Sequence, residues 1–276
     1  MNPDISAYPL GAIDAHVHSK HSCDSDMEPQ DAVDAAEKAG LKAIVLTEHV
    51  DFDPTDGGYG FYDGEAILKT FSELSLDFAR DKRITNSELK IFKGVEITYQ
   101  PQYESEIREF IHARNFDFVI GSIHLVGPDD ISWPEKQERY FSSRTEEEAY
   151  GAYFDAVQKL VDSRLFDCLG HLDLCKKFGF NYYGPMEWEK YKTWIQRILQ
   201  SLIQTDMYLE LNSSGLRQAP KESYPSVAVI KEYLNLGGKK LTLGSDAHVP
   251  EHVGYCFPEI CEILNAEYRM QNAVAQ

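Results

Sequence analysis

Cysteine is scarce in this chain and its spacing carries no pattern. Cys23, Cys168, Cys175, Cys256 and Cys261 are spread over 276 positions, odd in number and without a CxxC pair. That argues against a disulfide framework and against an all-cysteine zinc site, and a reducing cytoplasm is the expected compartment. Long hydrophobic runs are missing as well. The apolar stretches are of strand length, far short of the ~20 residues of a membrane-spanning helix. The N-terminal MNPDISAYPLG has no basic segment leading into an apolar one, so no signal peptide is expected. Basic charge is in deficit, with 27 Lys and Arg against 45 Asp and Glu and a formal net charge of −18. Binding nucleic acid over a broad surface needs a basic footprint, so neither nucleic acid nor membrane is an expected partner. Linkers, repeats and low-complexity tracts are not found. With 43% hydrophobic residues, the chain suits one large domain, 1–276, better than two small ones. Nothing in the composition speaks to oligomeric state.

What the chain does have is a series of apolar runs that end in metal-type ligands. Ala12 and Ile13 lead into His16 and His18, and residues i and i+2 of a strand share a face, so two imidazoles can grip one cation. AIVLTEH ends in Glu48 and His49, LKIFKGVE in Glu96, FDFVIGSIH in His124, FDCLGH in His171, and LTLGSDAH in Asp246 and His248. Each ending alone is weak evidence; the recurrence is what counts.

Between these runs the periodicity turns helical. Pro29 suits a first helical turn, and Ala32, Val33, Ala36 and Ala39 follow at helical spacing before Gly40. Further helices are expected over Asp63–Arg80, Tyr103–Arg114, Thr145–Val161, Met186–Thr205, Tyr224–Leu236 and Phe257–Ala273. Thr145 with Glu148 fits a capping box. MYLELN, Met207–Asn212, reads as the sixth of seven strands. Three segments, Asp51–Gly64, Val126–Arg144 and Leu172–Gly184, read as irregular loops of the kind that are usually functional. Seven strand–helix units imply a parallel sheet with helices outside. An open doubly wound sheet is the rival, but ligands on nearly every strand end favour a closed barrel, whose sites form at that face.

The candidate ligands are His16, His18, Asp24, His49, Glu96, His124, His171, Asp246 and His248. Zinc, iron and manganese take imidazole nitrogen and carboxylate oxygen without cysteine. Nine ligands exceed the needs of one ion, so two or three divalent ions are expected, with Glu96 as a bridge. Adjacent ions about 3.5–4 Å apart are the usual clamp for phosphoryl chemistry. His21 competes with Asp24 as the ligand from the first loop, and Asp26 is a weaker rival. His112 reads as a surface residue, and Glu48 could simply face solvent.

The ordered set HxH, TEH, GVE, GSIH, GHLD and GSDAH, from Asp14 to Gly254, resembles the polymerase-and-histidinol-phosphatase (PHP) family. Within it, ELNSSGLR (Glu210–Arg217) followed by Tyr224–Pro225–Ser226, with TEHVD and GHLDLCKK, is similar to the histidinol-phosphatase branch. The resemblance implies a distorted (β/α)7 barrel with a trinuclear site. His16, His18, Glu96 and Asp246 would hold one ion. Glu96, His124 and His171 would hold the second, and His49, His248 and a first-loop residue the third. Many members have histidine six residues after the HxH motif, where this chain has Asp24, a harder ligand.

The implied reaction is hydrolysis of a phosphomonoester, best guess L-histidinol phosphate in histidine biosynthesis. A water shared by two ions would be deprotonated near neutral pH and attack phosphorus in line. Glu96, Asp246 and His248 are the expected catalytic residues. Arg217, Lys177 and Asn212 are the expected substrate contacts, the cations because they can pair with phosphate oxygens. Asp51, Asp53, Tyr59, Phe61 and Tyr62 could meet the amine and ring of such a substrate. The alternatives are another small phosphate, such as a nucleotide or sugar phosphate, and a non-catalytic metal-binding module.

Overall fold

The structure, a computed structural model, describes residues 5–53 and 89–264. The strands are β1 (Ile13–Val17), β2 (Ala43–Val50), β3 (Lys90–Thr98), β4 (Phe118–Ser122), the short hairpin β5 (Leu125–Val126) and β6 (Asp129–Asp130), β7 (Cys168–Leu169), β8 (Tyr208–Asn212) and β9 (Leu241–Gly244). The helices are α1 (Pro29–Lys38), α2 (Glu104–Arg114), α3 (Pro134–Ser142), α4 (Glu146–Ser163), α5 (Cys175–Tyr183), α6 (Lys192–Thr205) and α7 (Val227–Asn235). Seven strands pair in parallel in the order β1-β2-β3-β4-β7-β8-β9. The circuit closes just past the strand ends. Val17 bridges Ala247, His18 N–H donates to the Ala247 carbonyl at 2.9 Å, and Asp246 N–H donates to that of His16 at 2.8 Å. The fold is therefore a distorted, TIM-like (β/α)7 barrel, and the open-sheet alternative is set aside.

Strict alternation divides each strand between two cores. Outward-facing Ile44, Leu46, Val95, Ile97, Val119, Leu169, Leu209, Leu211 and Leu243 pack under the helices. Inside the barrel, Ile13, Ala15, Ala43, Val45, Phe118, Ile120 and Cys168 form a separate floor together with Ile5. Each large apolar side chain in that floor stabilises the fold by about 1.5–3 kcal/mol. Continuing the same inward face up each strand places Thr47 and His49, Glu96 and Thr98, Ser122, and Glu210 and Asn212 above the floor. Strand β1 reaches this arrangement through an irregularity. Its register with β2 slips between Asp14 and Val17, a bulge that re-aims the residues beyond it, so that His16 and His18 turn in and Val17 turns out.

The capping box forms: Glu148 N–H donates to Thr145 Oγ1 at 3.3 Å, and Thr145 N–H donates to Glu148 Oε2 at 2.9 Å. Two segments expected to be irregular carry helices. Leu172–Gly184 contains α5, and Val126–Arg144 contains the hairpin and α3. The helix expected over 63–80 and the aromatics Tyr59, Phe61 and Tyr62 lie outside the described residues. So does the end of the last helix, which is helical through 257–264. No helix among the described residues is long and apolar enough to cross a membrane.

Candidate metal centre

At the C-terminal rim of the barrel the ligand-type side chains converge around Glu96. Its Oε2 lies 3.1 Å from His16 Nε2, 3.4 Å from His18 Nε2 and 2.9 Å from His49 Nδ1. Its Oε1 lies 2.8 Å from His171 Nε2 and 3.6 Å from His124 Nε2, and accepts a hydrogen bond from Ser122 Oγ at 2.5 Å. Asp246 Oδ1 stands 3.4 Å from His18 Nε2 and 4.0 Å from His16 Nε2. Asp24 Oδ2 is 3.1 Å from His248 Nε2 and 3.6 Å from His49 Nε2. All nine expected ligands are thus gathered in one place. Asp24 reaches the cavity at this rim, whereas His21 is not among its lining residues.

The surrounding hydrogen bonds assign which imidazole nitrogen faces the centre. Ser22 Oγ gives its one proton to Glu48 Oε2 at 2.6 Å, so towards His18 Nδ1, 3.1 Å away, it accepts. His18 therefore carries Nδ1–H and presents the Nε2 lone pair. Glu210 Oε1 accepts from His16 Nδ1 at 2.7 Å, and the Asp246 carbonyl accepts from His248 Nδ1 at 3.0 Å, with the same consequence. Thr98 Oγ1 pairs with His124 Nδ1 at 2.9 Å. Glu48, which could simply have faced solvent, is fully buried and also takes the backbone N–H and hydroxyl of Ser19.

These atoms fit divalent cations. His16 Nε2 and His18 Nε2 are fully buried and have no hydrogen-bond partner among the described residues, and buried polar atoms of this kind call for something else to meet them. Three overlapping triads, His16–His18–Glu96, His18–His49–His248 and His49–Glu96–His124, each bring their ligand atoms within 4.8 Å of one another. The electrostatics agree. Burial opposes charge on Glu96 and Asp246, yet the neighbouring imidazoles hold both carboxyls well below their usual range. Burial likewise opposes charge on His16 and His49, but Glu210 and Glu96 raise the first, and Glu96 and Asp24 raise the second. His18 and His124, pressed down chiefly by burial, fall to about 3. Protons on His16 and His49 thus supply the positive charge that cations would otherwise bring to the cluster.

Strain marks the same place. Asp246 sits at φ 52°, unusual for a residue with a side chain. It is held there by its own N–H on the His16 carbonyl and by Arg217, whose Nη2 donates to the carbonyls of Ser245 and Asp246, both at 2.8 Å.

The expected substrate contacts are placed unequally. Lys177 lines the cavity beside His171, Asp246 and His248, with its ammonium 4.8 Å from the Phe178 ring centroid. Burial pulls its pKa down, while Asp246 and Asp24 hold it up. Arg217 stands behind the Asp246 peptide and is not a lining residue. Nor is Asn212, whose amide donates to Glu210 and whose Oδ1 caps Ser214 N–H at 3.0 Å. Asp51 lines the cavity wall, with Ser132, Leu174 and Phe178. Asp53 does not line it, and donates its backbone N–H to Asp51 Oδ1 at 2.8 Å. Residue-by-residue reading passed over Glu210 and gave Glu48 no role in the site. Glu210 was open to detection: in MYLELN it shares the inward parity of Tyr208 and Asn212, and a carboxylate on the inside of a buried strand needs partners.

The PHP-domain family model matches residues 14–214. A histidinol-phosphatase of Lactococcus lactis is 30% identical, covering 86% of this chain and 84% of its own length. A probable histidinol-phosphatase of Clostridium acetobutylicum is 26% identical, with 89% of each chain covered. The crystal structure of histidinol phosphate phosphatase from Lactococcus lactis, complexed with zinc, L-histidinol and phosphate, aligns at a TM-score of 0.79 and 26% identity over 94% of both chains.

Proposed function

Since the chain belongs to the PHP-domain family, we propose that it is a metal-dependent phosphomonoesterase that hydrolyses L-histidinol phosphate to L-histidinol and phosphate in histidine biosynthesis. The observation that carries this reading is the convergence of six imidazoles and three carboxylates around Glu96, four of the imidazoles and all three carboxylates lining one cavity, in a chain similar along most of its length to histidinol-phosphatases. The reading treats 1–276 as one cytoplasmic domain. His16, His18, Asp24, His49, Glu96, His124, His171, Asp246 and His248 hold two or three zinc, manganese or iron ions, with Glu96 shared between positions. Bound cations supply an activated water and neutralise phosphate charge.

The chain's own residues do the rest. Glu96, Asp246 and His248 set the reacting centre, and the Glu210, Ser22 and Asp246 carbonyl contacts keep three imidazoles presented through Nε2. Lys177 pairs with a phosphate oxygen at the cavity wall. Arg217 fixes the Asp246 peptide through Nη2, and its Nη1 is buried and without a hydrogen-bond partner among the described residues. Leu174 and Phe178 exclude water from one wall, and Asp51 offers a carboxylate to the amine of the leaving group.

Phosphate release measured from L-histidinol phosphate, a nucleoside monophosphate and p-nitrophenyl phosphate on manganese- or zinc-loaded protein tests the reading. A strong preference for histidinol phosphate, lost in His16→Ala, is expected. Equal and slow turnover of all three would sink the histidine-pathway assignment, and no turnover with metal bound would sink the enzyme reading. In the same assay Lys177→Ala is expected to lower kcat/KM by about 10²-fold. A change below threefold would remove Lys177 from the phosphate site.

A further inference from the structure

Glu210 is a fully buried carboxylate that lies beneath the ligands rather than among them. Its Oε1 is 2.7 Å from His16 Nδ1. Its Oε2 accepts the His171 backbone N–H at 2.7 Å and the Asn212 amide at 3.2 Å. Space for it is left by Gly244: a Cβ at that position would stand 2.0 Å from Glu210 Oε1 and 2.6 Å from the His16 Cβ. One side chain on β8 thus touches a ligand on β1 and the backbone of a ligand that follows β7, and a glycine on β9 makes the room.

We propose that Glu210 is a positioning residue that sets two metal ligands with one carboxylate, locking His16 as its Nδ1–H tautomer and fixing the His171 backbone. The proposal rests on the metal-dependent reading above. The chemistry leaves little freedom. A backbone N–H and an amide NH2 only donate, so Oε2 must accept from His171 and Asn212. Oε1 then takes the His16 Nδ1 proton, and His16 Nε2 is left with a lone pair directed at Glu96 and Asp246, 3.1 Å and 4.0 Å away. Two carboxylates facing that lone pair call for positive charge between them, a proton in the metal-free protein and a cation in the loaded one.

Glutamine cannot reproduce this. With its oxygen towards His16, its NH2 meets two donors at His171 and Asn212. Turned over, its NH2 faces His16 Nδ1 and pushes the ring proton to Nε2, onto the side where a cation would bind. Because His16 and His171 are assigned to different cation positions, the loss should reach both.

Wild type and Glu210→Gln, equilibrated at buffered free zinc, should be compared by metal content per chain. The cobalt-substituted visible spectrum, kcat and KM are read on the same samples. The expected result for Glu210→Gln is a 10–100-fold loss of zinc affinity affecting more than one ion per chain, an altered cobalt spectrum, and a fall in kcat with KM changed less than threefold. Unchanged metal content, spectrum and kcat overturn the proposal. A wild-type protein that retains no zinc overturns the metal reading and this proposal with it. If Glu210→Gln does not fold, the nitrogen-15 spectrum of zinc-loaded wild type decides alone. His16 protonated at Nδ1 supports the proposal, and His16 unprotonated there overturns it.

Discussion

Glu96→Gln is expected to lower kcat for L-histidinol phosphate by about 10³-fold or more, the scale seen when a preorganised charged contact to a reacting centre is removed. The expectation follows from geometry. The two oxygens of Glu96 lie within 3.6 Å of nitrogens on His16, His18, His49, His124 and His171. A side chain in that position would serve more than one cation position at once. Glutamine keeps the shape and one acceptor but removes the negative charge and puts an NH2 among imidazole lone pairs. Because the damage is to cation retention as well as to the reacting centre, metal content should fall alongside kcat, and extra zinc or manganese in the assay should restore only part of the rate. Circular dichroism should remain that of the wild type, since glutamine keeps the volume and shape of the buried side chain. Activity within tenfold of wild type, with full metal content, would show that Glu96 is peripheral and would remove the bridging role assigned to it.

Why the site was so legible in the sequence while parts of the fold were not comes down to how much each feature depends on tertiary partners. Strand-end ligands announce themselves because a parallel barrel buries its strands on both faces, so a histidine after AIVLTE or DCLG has few structural reasons to be there. Closure of the barrel was legible only indirectly, from ligands on nearly every strand end. The contacts that make it are two backbone hydrogen bonds between the HxH and GSDAH segments, whose positions no side-chain pattern reports. Helix α5 was read as a loop because Lys176 interrupts its apolar face. Lys176 is 1% exposed, and its ammonium is met by Asp173 Oδ2, the Ser223 carbonyl and Glu222 Oε1, each at 2.9 Å. A buried lysine looks like a surface one until its partners from distant segments are known. Helix α3 was missed for a related reason: Tyr140 and Phe141 are both buried though adjacent in sequence, so no 3.6-residue stripe appears. Asn212 is a different case. Its place at a strand end suggested substrate, but its amide and carbonyl are committed to Glu210 and Ser214.

Stripping the metal should lower the melting temperature by roughly 10–30 °C, and the loss should grow as pH rises from 6.5 to 8.5. Two or three ions at a hundred times their dissociation constants add roughly 5–8 kcal/mol to the folded state, and a chain of this size shifts by about 2–4 °C per kcal/mol. The pH dependence comes from what replaces the cations. In the metal-free protein His16 and His49 are raised above their ordinary values by Glu210, Glu96 and Asp24. Their contribution is fully present below the unfolded pKa near 6.5 and is lost as pH climbs through their folded values. His18 and His124 work in the other direction. They remain neutral down to about 3, so below pH 6.5 the unfolded chain takes up protons that the folded one refuses, and stability falls again. Glu96 and Asp246, held low, lose their contribution only as pH drops below the ordinary carboxylate range. The metal-free protein should therefore be most stable near pH 6.5. The loaded protein binds its cations more tightly as imidazole protons leave, so the two melting curves separate on the alkaline side. Differential scanning calorimetry with and without chelator, at pH 6.5, 7.5 and 8.5, reads this directly. A gap that is constant or narrows with pH would mean that protons and cations do not compete for the same imidazoles, and the ligand assignment of His16 and His49 would have to be abandoned.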